Sequence, residues 1–408
     1  YVYGDGEAAW AVTIADGSTT LPAILGTVKS GAKVTLTVAN PSGIVVTGRG
    51  YLCGTIEANA ELTFDASAEG LPVVSSAKDG NVGGLVGRMN SGALLHVSSA
   101  GDITVDVTAS AATYAGGLVG RMDGGATLDF DAAKVTVKNV SATSGSDSDN
   151  VAAGGLVGYM NGAAIQAENL AEIIAASINS TFLAGGVAGD ATNPILKFSE
   201  SAVISGGSIT SNGGKKGAVG GMYGQLTWSN ANNLVTLIPV KNVTFTSSND
   251  CGGLFGFLRN SGSLTISGEN LVTGVTFNGN SSSGGLIGWY PTPGDAALVI
   301  QGVTLSSTIT SGNNVGGLIG YAQADGKSSS IRVTGSTVTY QGTAPTGYSA
   351  GLIAVMDKKT FLEVSTTTIT CSNAATNYGG LVGNMQGADS GSLVLVGKDV
   401  KIKNAPPG

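Results

Sequence analysis

The only histidine of the chain, His96, lies in the stretch ALLHV, and Asp129 holds the matching place in ATLDF 33 residues later. A His and Asp pair is the orienting half of a general-base machine, which also needs a hydroxyl or thiol within reach. No nucleophile recurs in that register, so the two residues read as solvated neighbours on the outer face of adjacent strands. Asp389, Ser390 and Gly391 echo the surroundings of a nucleophilic serine. Its base would have to be His96, many repeats away, and the echo is dismissed. Paired or stacked carboxylates would suit a glycoside hydrolase or a metal-assisted lyase. Asp123, Asp129, Asp131 and Asp190 fall at different places of their repeats, which disfavours both. In SGSDSDN, Asp147, Asp149 and Asn150 have calcium-type oxygens but fit no complete loop motif, so the stretch reads as a polar insertion. Gly320 to Ser328, GYAQADGKS, misses the phosphate-loop signature because five residues rather than four separate its glycines. No catalytic residue, metal site or cofactor is expected.

The elements that carry these residues are repeats. GGLVGRM at Gly83 returns letter for letter at Gly116, and related words begin at Gly154, Gly185, Gly220, Gly252, Gly284, Gly316, Ala350 and Gly379. Worn copies stand at Gly50 and Pro22, giving twelve with a mean step of about 32 residues. A phosphate cradle occurs once, ahead of a helix; a word repeated this often, with no helical pattern behind it, marks a structural period. Each repeat holds three apolar stretches separated by turns, as in GGLVGRM, NSG, ALLHV, SSAG, DITVDV. Strand-length runs of β-branched residues cannot bury a face alone and must stack. The expected fold is all-β: a parallel β-helix of about twelve rungs and three parallel sheets, right-handed by analogy with most such solenoids. Residues 1–21 read as an N-terminal cap segment, 22–404 as one β-helix domain and 405–408 as the start of a linker. Within the word, alternation puts the third, fifth and seventh positions inward, and glycine at the first and fifth permits a corner or a close approach.

Composition agrees. Charged residues are only 12% of the 408, glycine contributes 65, and the net charge is −7. Scattered Lys and Arg exclude the basic stripe that nucleic acid requires. No apolar run reaches membrane-helix length, so no span is expected within this chain. The ends, YVYGDG and NAPPG, read as processing boundaries of a longer product whose anchor lies outside this sequence. Cys53, Cys251 and Cys371 cannot complete a disulfide framework and are expected free or bridged to another chain. N-glycosylation sequons begin at Asn139, Asn179, Asn242 and Asn280.

The words resemble the GLUG motif, a glycine-rich repeat of β-helical surface proteins that include bacterial adhesins and secreted proteases. The resemblance spans residues 22–408 as a period and implies an extracellular, adhesive or structural role. The expected function is a non-enzymatic, adhesin-like ectodomain or rigid spacer that meets a protein or glycan through an outer face. The alternative is a polysaccharide lyase or hydrolase of the pectin-lyase-like type. For the binding face, the sixth position of the word brings Phe257, Trp289 and Tyr321 onto consecutive rungs, and alternation places Phe255, Ile287 and Ile319 beside them on the outside. A bulge at the glycine would instead turn that second set inward.

Overall fold

The computed structural model describes residues 7–403 apart from 14–18, 40–43, 67–70, 78–79, 100, 111, 145–150, 215–216, 230–234, 293–294, 312, 325–327, 343–345, 373–377 and 387–390. The described strands pair in parallel and stack as a β-solenoid. Chain contacts divide it into two units, Tyr1–Gly207 and Ser208–Gly408. Each of the twelve words supplies one strand, six in each unit, from Leu25–Val28 to Val382–Met385. Like faces like across the rungs. Val86 pairs with Cys53 and Val119, and Met89 with Ile56 and Met122.

The expectation of three sheets is corrected to four strand positions per rung. Where the word is fully developed it is a corner joining two strands. In rung three, Gly80–Gly83 ends on the first glycine, the chain bends at Gly84 and Leu85, and Val86–Met89 begins at the fourth position. A second strand such as Leu94–Ser99 and a third such as Ile103–Ser110 complete the coil. The third strand alternates between core and surface as period two requires. The worn words at Pro22 and Gly50 have no short leading strand before them among the described residues. Glu7–Thr13 and Thr19–Leu21, within the segment expected as a cap, already pair with Lys33–Ala39 and Ile44–Val46 as coil strands.

The corner also breaks the simple alternation. Pairing between word strands runs through the fourth, sixth and seventh positions and skips the fifth, as in Val119 with Val157, Arg121 with Tyr159 and Met122 with Met160. An unpaired glycine in this place acts as a bulge, so the fourth and seventh positions both face inward. Leu85, Val86 and Met89 are all fully buried. Each such side chain contributes about 2 kcal/mol by leaving water. In-register stacking extends this to rings in the core, with Tyr223 on Phe255 at 6.1 Å and Phe245 near Phe277 at 5.2 Å between centroids.

The last rung of the second unit is thinly covered. Met385, Val396 and Ile402 are 45, 58 and 40% exposed, whereas their register partners Met356, Val364 and Ile369 are fully buried. Backbone amides of the described residues in 382–403 are therefore expected to exchange with deuterium at least about tenfold faster than those of the described residues in 252–320. Equal protection in the two segments at low protein concentration would contradict this reading.

Candidate functional site

His96 and Asp129 do lie side by side. Strand Leu94–Ser99 runs in register with Thr127–Phe130, and the His96 Nδ1 to Asp129 Oδ2 distance is 2.8 Å. Sequence reasoning weighed Asp131 as a carboxylate but did not join it to this pair; its Oδ2 lies 4.0 Å from His96 Nε2. All three side chains remain well solvated. No hydroxyl or thiol is hydrogen-bonded to Nε2 among the described residues, so the trio lacks a nucleophile for the base to activate. Among the described residues no three or more His, Cys, Asp or Glu gather closely enough to hold a metal ion. Asp147, Asp149, Asn150, Asp389 and Ser390 lie outside the described residues, as does the 325–327 portion of GYAQADGKS.

At the sixth position of the first unit, Arg88 and Arg121 share Asp123. Arg88 Nη2 donates to Asp123 Oδ2 at 2.6 Å, and Arg121 Nε donates to Oδ1 at 2.8 Å. Burial alone would raise the Asp123 carboxyl; the hydrogen bonds from the two arginines outweigh it and hold the group below the usual carboxylate range. The Arg121 guanidinium also lies 5.1 Å from the Tyr159 ring, which stacks on Tyr114 at 4.8 Å. These charges are satisfied by one another.

In the second unit the same position carries the expected ladder. Phe257 meets Trp289 edge-on at 5.2 Å, and Trp289 stacks on Tyr321 at 6.3 Å. The structure corrects its surroundings. Phe255, Ile287 and Ile319 are fully buried, because the skipped glycine turns the fourth position inward; they belong to the core and cannot form an outer strip. Phe257 is only 5% exposed. Trp289 and Tyr321 are half-buried, the Trp289 indole N–H is enclosed with no partner among the described residues, and the Tyr321 hydroxyl donates to Asp357 Oδ2 at 3.3 Å. The three rings pack on one another along the rungs, and two of them remain partly visible.

The open surface lies on the adjoining strand position, where the five strands Ser263–Ser267, Ala296–Gln301, Ser329–Thr334, Thr360–Ser365 and Leu393–Val396 pair in order. One outward row reads Ser263, Ala297, Ser330, Phe361, Leu393 and the next Thr265, Val299, Arg332, Glu363, Leu395. Small Ala297 and Ser330 lie low between taller neighbours. Two depressions of about 270 and about 530 Å³ result, and they share Ala297, Ser330 and Phe361. Together they make a trough crossing five strands, or four steps of about 4.8 Å, roughly 19 Å. Phe361, Leu393 and Leu395 are exposed along it. Arg332 Nε donates to Glu363 Oε2 at 2.8 Å on the same face, and both side chains are largely in water. Sequence reasoning passed over this face because its apolar letters are spread over three rungs.

Of the sequons, Asn139 is half-buried and its Nδ2 donates to Thr108 Oγ1 at 3.2 Å, and Asn179 donates to Ser177 Oγ at 2.8 Å. Asn242 and Asn280 are exposed. The three cysteines are free and buried, and burial pushes the Cys53 thiol up to about 12.

The fold and this surface define a parallel β-solenoid with an open trough on one outer face. No family model, curated protein or solved structure matches the chain. Among the described residues no helix is long and apolar enough to cross a membrane.

Proposed function

We propose that this chain is a non-enzymatic, extracellular or cell-surface ectodomain of the GLUG-repeat kind, adhesin-like or a spacer, which meets a protein or glycan through an outer face of its solenoid. The observation that carries the reading is the trough on the second unit: exposed Phe361, Leu393 and Leu395 gather around a recess instead of scattering singly. That no nucleophile among the described residues is bonded to the solvated His96, Asp129 and Asp131 trio supports the non-enzymatic part. The repeated words support the surface role by resemblance.

The test compares two faces. Beads carrying the wild-type protein are scored for attachment to protein and glycan arrays. Phe361→Ala with Leu395→Ser is expected to abolish attachment at an unchanged melting temperature, since both side chains are exposed. Trp289→Ala with Tyr321→Ala is expected to lower the melting temperature, by about 2 to 4 kcal/mol of stability, and to spare attachment. Attachment that survives the first pair rejects the trough as the binding face. New reducing ends or unsaturated products from polysaccharides incubated with the protein would reject the non-enzymatic reading.

A further inference from the structure

We infer that the trough is a subsite for a neutral glycan, with sugar rings laid in sequence across the strands; this rests on the reading that this outer face binds a partner. The floor decides first against an extended peptide adding itself as a strand. Strands Ala296–Gln301, Ser329–Thr334 and Thr360–Ser365 are each paired on both sides, so the middle of the trough, around Phe361 and the Arg332 and Glu363 pair, offers a sheet face and no free backbone edge; only the end strands Ser263–Ser267 and Leu393–Val396 are paired on one side. What it offers instead is a sequence of side-chain chemistries. Phe361 is an exposed ring with an apolar face, and a pyranose has a matching apolar face of C–H groups. Two residues along the same strand and across to the next, Glu363 and Arg332 stand as a pair. The pair presents guanidinium N–H donors next to carboxylate acceptors, and both side chains remain about half exposed. Vicinal sugar hydroxyls need both kinds of partner at once, since each donates one hydrogen bond and accepts others.

Charge selects within the glycans. The trough sets Arg332 against Glu363, and Asp295 adds a further carboxylate whose Oδ1 accepts from the Ser328 N–H at 3.2 Å. Its formal balance is one positive group against two negative, in a chain of net charge −7. Such a field repels uronates and sulfated sugars and leaves neutral rings as the fitting occupant. Hydroxyls of Ser263 and Ser330 continue the polar chemistry toward the other end.

Calorimetric titration of the full chain with hexasaccharides tests the assignment, using β-linked glucose, mannose and xylose as neutral probes and a galacturonate hexamer as the acidic one. At least one neutral hexasaccharide is expected to bind better than the acidic one. Phe361→Ala and Arg332→Gln should each weaken it at least tenfold at an unchanged melting temperature, while Phe361→Tyr should retain it. Preference for the galacturonate hexamer, failure of every neutral probe, or indifference to both substitutions would overturn the glycan assignment. If no sugar binds but Phe361→Ala still removes attachment to a protein surface, the trough takes a protein and only the glycan assignment falls. Should neither attachment nor sugar binding respond, the outer-face reading falls with it.

Discussion

Gly253→Ala is expected to destabilise the second unit by about 3 kcal/mol or more, read from urea denaturation. A Cβ at this second position of the word would sit 2.1 Å from the carbonyl oxygen of Gly285 on the next rung and 2.7 Å from a methyl of Val272. The carbonyl is main chain, held by the stacking of the rungs, and the valine is buried, so neither can yield without opening the corner. The same column continues through Gly285, Gly317 and Gly351, where an added Cβ meets the following rung's carbonyl at the same 2.1 Å. The first position supplies an internal comparison. At Gly284 an added Cβ would meet the main-chain carbonyl of Ile287 as closely as the one at Gly253 meets that of Gly285, so Gly284→Ala is expected to cost a comparable amount. At Gly26 an added Cβ would meet nothing within 4 Å, and alanine there should be tolerated within about 0.5 kcal/mol. A cost at Gly26 as large as at Gly253 and Gly284 would mean that backbone propensity, and not close approach, governs these glycines.

Asp250→Asn is expected to stabilise the protein at pH 8 and to lose that advantage by pH 4. Asp250 begins the short leading strand Asp250–Gly252 and is buried, and burial pushes its carboxyl from 3.8 up to about 7. Hydrogen bonds oppose the shift without cancelling it: the Ser282 N–H donates to Oδ1 at 3.1 Å and Asn249 Nδ2 to Oδ2 at 2.6 Å. The sign follows from the direction. Below about pH 4 the group is protonated in both folded and unfolded chains and carries no penalty. As pH rises from about 4 toward about 7 the unfolded chain releases its proton first, so folding loses free energy until the folded group also ionises. A rise of this size corresponds to a penalty of at most about 4 kcal/mol above about pH 7. Asparagine keeps an acceptor for Ser282, and the Asn249 amide can turn its oxygen toward the new donor. Melting curves from pH 4 to pH 8 decide it. A gain independent of pH, or no gain at pH 8, would show that Asp250 is not held in this protonation balance.

The recurrence of the word made the solenoid legible. Its period supplied the stacking, its β-branched runs supplied the strands, and the register of His96 with Asp129 was correct to the residue. The closeness of the second glycine to its neighbours was only partly present in the letters, since it persists in AGLIA at Ala350 where the first and fifth do not but gives way to Tyr51 in GYLCG at Gly50 where they are kept. It was passed over because a residue's own flexibility is easier to read from a chain than the distance to a neighbour a full repeat away. The binding face was where sequence reasoning fell short. Counting positions alternately through the word assumed one straight strand, and this sent Phe255, Ile287 and Ile319 outward.

By itself, then, the sequence determined what is local and periodic: all-β strands, parallel stacking of like on like, and a core running along one side of every stretch. Those follow from side-chain alternation and from a repeat too small to bury its own apolar face. Only the tertiary structure decided what depends on the path between strands. The bend at the second and third positions and the unpaired glycine at the fifth set which residues face inward, because the skipped pairing puts the fourth and seventh positions on one side while the bend keeps the third inward as well. The trough was equally a matter of assembly. Ala297, Ser330, Phe361 and Leu393 are ordinary letters in the chain, and become a recess only when register places small residues beside large ones on neighbouring rungs.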